Sequence, residues 1–145
     1  MKLKVVLDEG AKMPTRAHET DAGLDLYSRE YALIEPLGSH TFDTGVHIEI
    51  PNGSKDKVYV GMVKSKSGLN VKHNLTCTGV VDAGYTGSIA VKLYNHSENV
   101  PVAISEGQKI GQLVIMPIEL PELELVDSLE DTERGTGGFG SSGAF

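Results

Sequence analysis

Five short stretches of this chain hold groups that could handle a small phosphorylated molecule. "TGVVDAGYTGSIAVKLYN" reads as strand, turn, strand, with Asp82 at the turn edge and Tyr85 three residues on. A carboxylate held beside bound phosphates can take a proton from attacking water. The plainer reading is an aspartate closing an Asx turn. "KSKSGLN" sets a Ser-Gly step among lysines where a short helix could start. N–H groups, a hydroxyl and ammonium groups then meet in one place, as in an anion site. It could also be an ordinary turn capped by Ser67. "DAGLDLYS" holds Asp21 and Asp25, four apart, able to hold a hard cation or its waters, or to sit in a solvated turn. "GQKIGQLVIMP" is a turn running into a buried strand, with Gln112 as the polar residue at its start.

The fifth stretch is the end of the chain, "ERGTGGFGSSGAF". Its glycines expose backbone N–H groups, Ser141 and Ser142 add hydroxyls, and Arg134 adds a fixed positive fork, so it could wrap a phosphate chain. No helix follows it and the Walker Lys-Ser/Thr is missing. On composition alone it reads as a linker-like tail. Phe139 argues otherwise, because an aromatic isolated among glycines gains by docking on something flat or apolar.

The elements that must position these groups are strands. "KLKVVL", "TFDTGVHIEI", "KVYVGMV", "SIAVKLY", "PVAI" and "QLVIMPIEL" are short runs rich in Val, Ile and Tyr, several alternating apolar with polar. Turn signals lie between them at Pro36 to Gly38, Pro51 to Gly53, Ala83-Gly84, Asn95 to Asn99 and Glu106-Gly107. One short helix is expected around Ser67 to Lys72. The pattern predicts an all-β sandwich, jelly roll or barrel. Residues 1–126 read as one β domain and 127–145 as an acidic tether followed by a glycine-rich arm.

With 145 residues, 39% of them hydrophobic, the chain suits a single domain with a real core. No apolar run approaches the roughly 20 residues of a membrane span, and the N-terminal apolar run is too short for a signal peptide. The lone Cys77 excludes an internal disulfide framework and reads as a small core residue. The five histidines show no metal-ligand spacing. A cytoplasmic protein is expected, without a membrane or nucleic-acid partner. The net charge is -7, and Lys64, Lys66, Lys72 and His73 are too few to track a duplex, though enough for one small polyanion.

In their order and spacing the five stretches resemble the motifs of the trimeric dUTPases, over nearly the whole chain. The matching segments are "AGLDLYS" (Ala22 to Ser28), "KSGL" (Lys66 to Leu69), "GVVDAGYTG" (Gly79 to Gly87), "GQKIGQLVI" (Gly107 to Ile115) and "RGTGGFGSSG" (Arg134 to Gly143). "TGVHIEIPNG" (Thr44 to Gly53) resembles the family's connector between the first two. The resemblance implies a distorted jelly-roll-like subunit with one short helix, a homotrimer with active sites between subunits, and a flexible arm. It also implies hydrolysis of dUTP to dUMP and diphosphate with Mg2+ on the triphosphate.

By the same resemblance, Asp82 would deprotonate the water that attacks the α-phosphorus. Tyr85 would pack under the deoxyribose and exclude a 2′-hydroxyl. Backbone atoms around Gly79 would read uracil. Asp25 would meet the magnesium through water, and Lys66, Ser67, Gly68 and Gln112 would hold phosphate oxygens. Arg134, Gly140, Ser141 and Ser142 would close over the phosphates, with Phe139 stacked on uracil. The chain departs from the family at Lys66, where Arg is usual and a bidentate fork is lost. It departs again at Gln108, usually acidic, and at Gly111, usually Ala. Thr76 falls where some members present a side chain to uracil.

Two rivals share this scaffold. A dCTP deaminase would need a glutamate poised to activate water at the pyrimidine C4, where this hairpin carries Asp82 and Tyr85. A non-catalytic regulatory protein would not need Asp82 and the complete arm.

Overall fold

A computed structural model describes residues 1–51 and 58–138. Phe139, Gly140, Ser141 and Ser142, assigned above to the arm, lie outside the described residues. The described chain folds into strands β1 (Lys4–Leu7), β2 (Gly23–Tyr27), β3 (Ala32–Ile34), β4 (Ser39–Asp43), β5 (Val46–Glu49) and β6 (Val58–Lys64). After β6 come helix α1 (Ser67–His73) and strands β7 (Leu75–Thr76), β8 (Thr78–Val81), β9 (Ala90–Asn95), β10 (Val102–Ile104) and β11 (Lys109–Ile118). Among the described residues no helix is long and apolar enough to cross a membrane.

All strand pairs are antiparallel. They form a four-stranded sheet, β2-β11-β6-β8, a three-stranded sheet, β4-β9-β7, and the pairs β1-β5 and β10-β3. This is the all-β, jelly-roll-like architecture expected, with one short helix among the described residues. Alternation drives it. Along β9, Val91, Leu93 and Asn95 are buried while Ala90, Lys92 and Tyr94 face out. Leu26, Ile34, Phe42, Leu75, Ile104, Ile110 and Leu113 join them in the core. Full burial of such a side chain contributes about 1.5–3 kcal/mol. Asn95 is the polar member, and its amide donates to the carbonyls of Ile34, Glu35 and Val100 while its oxygen accepts from Ser97 N–H. Satisfied on both sides, it ties β3 to the β9–β10 turn.

Local chemistry modifies several expected elements. "TFDTGVHIEI" is two strands, because the chain breaks at Gly45, which sits at φ 63. The positive φ favours glycine there, and a Cβ would in addition displace the tip of the Arg29 side chain, whose Nη1 it would approach to 2.8 Å. The helix runs Ser67–His73, but its cap is Lys66 and not Ser67. Lys66 has extended dihedrals and its carbonyl accepts from Asn70 N–H, so the helix starts one residue earlier than a Ser67 cap allows. Asn74 ends the helix in the left-handed region at φ 53, with Lys72 and His73 in the last turn where the dipole favours cations.

Candidate active site

Strand register lines up three of the five stretches. Asp25 on β2 faces Gln112 on β11, Gln112 faces Lys64 on β6, and Lys64 faces Thr78 on β8. One row across the sheet thus joins the first and fourth stretches to the strand that leads into Ser65, Lys66, Ser67 and Gly68. Two hydrogen-bonded links hold that loop. Gln112 Nε2 donates to the Ser65 carbonyl at 3.0 Å. The Ser65 hydroxyl donates to the Cys77 carbonyl at 3.0 Å and accepts from Cys77 N–H at 2.8 Å. Cys77 is buried, and burial pushes its thiol pKa up, which keeps it inert as a core residue.

The Asp25 carboxylate lies between two lysines. Lys66 Nζ donates to Oδ1 at 2.5 Å and Lys109 Nζ to Oδ2 at 2.6 Å, while the aspartate side chain is only 5% exposed. Burial pushes its pKa up, but the hydrogen bonds and charges of Lys109 and Lys66 outweigh that and hold it below the ordinary carboxylate value. The hydrogen bond to Asp25 in turn raises the pKa of Lys109. Sequence reasoning missed Lys109. Three residues before Gln112, it would face the opposite side of a regular strand. A register shift between Lys109 and Gly111 pairs Lys109 with Tyr27 while Gln112 pairs with Asp25, which brings both to one face.

The third stretch forms a compact turn. Tyr85 N–H donates to the Asp82 carbonyl at 3.0 Å, and the Tyr85 hydroxyl to the Ser88 carbonyl at 3.0 Å. The tyrosine ring therefore folds over Gly87, where any Cβ would collide with it. The Ser88 hydroxyl donates to Asp43 Oδ1, and Gly45 N–H donates to the same oxygen. These two bonds hold the pKa of Asp43 below its ordinary value. Asp82 is exposed and Tyr85 is 49% exposed. β8 is an edge of its sheet, so around Gly79 its outer side offers backbone donors and acceptors.

The chain does not bring all the site residues together. Asp25, Lys66, Gln112 and the Ser67-Gly68 step sit around one row. Asp82 follows the other end of β8, past Val81, which pairs with Gly61. That separates it from the Asp25 row by roughly 13 Å along the strand and 14 Å across the sheet. Arg134 donates through Nε to the Gly137 carbonyl at 2.9 Å within the arm's own turn. Among the described residues, those from Glu119 on hydrogen-bond only with one another.

No group of three or more His, Cys, Asp and Glu among the described residues could cage a metal. Both Asp25 oxygens already accept from lysines. This donor set fits a hard ion carried on phosphate oxygens with most of its water retained, and Asp25 can meet it only as an acceptor for metal-bound water.

Comparison with solved structures places this fold among nucleotide hydrolases. A dUTPase of Staphylococcus bacteriophage 80alpha, a point mutant with dUpNHpp, matches at TM-score 0.85 and 36% identity over 98% of each chain. A mutant dUTPase of the S. aureus phage phi11, described as coordinating a structural Mg(II) ion, matches at TM-score 0.79 and 34% identity over 90% of this chain and all of that one. A deoxyuridine 5'-triphosphate nucleotidohydrolase of Gloeothece citriformis is 43% identical over 99% of this chain and 97% of its own. One of Leifsonia xyli subsp. xyli is 44% identical over 91% and 86%. The dUTPase family model matches residues 9–143. The chain belongs to the dUTPase family.

Proposed function

We propose that this protein is a dUTP diphosphatase that hydrolyses dUTP to dUMP and diphosphate, lowering dUTP and supplying dUMP for dTMP synthesis. One observation carries the reading: the five matching segments, Ala22 to Gly143, lie in order within the family match at 9–143, and the third of them holds the hydrogen-bonded Asp82–Tyr85 turn. Asp82 takes a proton from water as its oxygen attacks the α-phosphorus. The bond from that phosphorus to its bridging oxygen breaks, and diphosphate leaves. Such a reaction needs alignment and preorganised donors more than covalent help.

The Ser67 and Gly68 amides precede the first helical hydrogen bond, which suits them to phosphate oxygens. A Cβ at Gly68 meets nothing within 4 Å in this chain, consistent with space kept for a ligand. Lys66 and Gln112 complete the phosphate contacts. Mg2+ supplies charge neutralisation on the triphosphate when bound, with Asp25 facing its water. Tyr85 packs under deoxyribose and the β8 edge near Gly79 pairs with uracil. The tether and arm, 127–145, close over the nucleotide through Arg134, Phe139, Gly140, Ser141 and Ser142, and 1–126 form the dUTPase-like β domain. The protein acts in the cytoplasm, without nucleic acid or membrane.

A homotrimer with shared sites fits the separation of Asp82 from the Asp25 row. It also fits the stretch after β11, where Leu123 and Leu125 are 97% and 100% exposed in the single chain, as expected of a segment that packs on another copy.

Diphosphate release is measured with dUTP, dCTP, dTTP and UTP in the presence of Mg2+. Selective dUTP turnover is expected. Ammonia release from dCTP would indicate a deaminase instead. Asp82→Asn is expected to bind dUTP yet lose at least about two orders of magnitude in turnover, and near-normal turnover would remove Asp82 as the base.

A further inference from the structure

The turn from Asp82 to Ser88 contains Gly84 and Gly87, whose backbones are conformationally free. A side chain from another strand fastens it between Tyr85 and Gly87. His47, on β5, lies with Nδ1 2.9 Å from the Thr86 carbonyl oxygen and Nε2 3.2 Å from Asp8 Oδ1. A carbonyl only accepts, so Nδ1 must carry a proton. An ionised carboxylate only accepts, so Nε2 must carry one too. Only the imidazolium satisfies both partners. The neutral ring must present a lone pair to one of them.

The surrounding charges favour the cation. Asp8 faces the ring from the end of β1, and Asp43 acts on it from β4. Lys4 and Glu49 share the groove beside it, but they pair with each other at 2.7 Å. Arg29 is committed to Asp43 at 2.8 Å and lies 3.8 Å from Asp8. The ring's pKa is accordingly raised, first by the Thr86 bond, against desolvation, and then by Asp8 and Asp43.

We infer that His47 is a positioning residue for the nucleotide site: as an imidazolium it clamps the Thr86 carbonyl and thereby sets Tyr85 and Asp82, so that discrimination against ribose depends on His47. The inference rests on the reading of Tyr85 and Asp82 given above. It adds a pH dependence with a definite sign. A raised folded-state pKa means that the clamp is complete below the ordinary imidazole value and loosens as pH rises through the raised one. Deprotonation then costs the bond either to Thr86 or to Asp8.

The test is the ratio of kcat/KM for dUTP to that for UTP, measured from mildly acidic to alkaline pH. The two triphosphates titrate alike, so the ratio cancels their ionisation. His47→Ala is expected to lower the ratio roughly tenfold at neutral pH. His47→Asn, whose amide can donate from the place of Nδ1 without titrating, is expected to restore most of it. In the wild type the ratio is expected to fall as pH rises, and in His47→Asn to stay flat. If His47→Ala does not fold, the comparison of His47→Asn with wild type across pH decides alone.

A merely structural role would lower kcat for both substrates and leave the ratio unchanged. That result overturns the inference, as does the same pH dependence of the ratio in wild type and His47→Asn. A wild-type protein that turns over no dUTP removes the dUTPase reading and this one together. An unchanged ratio in an active His47→Ala removes only this one.

Discussion

Asp25 combines a structural role with the chemical one proposed for it. Its carboxylate is buried, and it is stable as an anion only because Lys66 and Lys109 donate to its two oxygens. Its folded-state pKa is lowered, so the stability it contributes is present above the ordinary carboxylate value and fades as pH falls through the lower one. Asp25→Asn is expected to cost about 1–2 kcal/mol near neutral pH, because the lysines are partly exposed and solvent softens their loss. Urea denaturation across pH checks this, and the gap between variant and wild type is expected to close in acid. The sequence offered Asp25 as a holder of a hard cation or its waters, as a solvated turn residue or, by resemblance, as a neighbour of metal-bound water, but not as the partner of two lysines. Its bond to Lys66 spans 41 residues, and no local pattern encodes such a contact. His47 escaped notice for a similar reason, since its partners Asp8 and Thr86 each lie 39 residues away.

At the scale of elements, alternation was the legible signal. β1 and β10 lie within the runs read from sequence and β6, β9 and β11 overlap theirs, β11 starting three residues earlier than its run, because a half-buried strand writes its two faces into successive residues. β3 and β7, three and two residues long, were not read, whereas β10, as short as β3, was read as the apolar run that follows Pro101. The shift at Lys109 was equally silent, because the chemistry of the flanking residues is unchanged by it. The turn at Pro36 to Gly38 was read correctly as a turn, but its conformation was not. Leu37 sits at φ 56 and is 72% exposed, so it bears left-handed strain while burying little. Leu37→Asn is expected to raise stability by about 0.5–1 kcal/mol, seen as a higher Tm, since asparagine tolerates that region far better. An unchanged or lower Tm would show that Leu37 gains elsewhere what its backbone loses.

At the scale of the whole molecule, two groups of site residues occupy separate places in one chain. If active sites are shared, two inactive variants can repair each other. Asp82→Asn alone and Gln112→Ala alone are each expected to be severely impaired. Refolded together at equal amounts, they are expected to regain activity at about one site in four, where an unaltered residue of each kind meets across an interface. Mixing without recovery would place both residues in a single chain's site. The arm escapes this reasoning, since its serines and Phe139 fall outside the described residues. The role proposed for it comes only from the order of the five stretches, because glycine-rich sequence carries the same composition whether it grips a ligand or none.

The triplet of Lys66, Asp25 and Lys109 has a bearing on how a nucleotide arrives. Two ammonium groups share one carboxylate, which leaves a net single positive charge at that spot on a chain of formal charge -7. A polyanion therefore meets no broad attractive field, and its approach is not steered from a distance. Added salt that screens the chain's own negative charge eases the encounter while barely touching the Asp25 pairs, whose carboxylate is out of reach of the ions. On the function proposed above, capture is thus a short-range event, decided by fixed amides and by the counter-charge that the nucleotide brings with it.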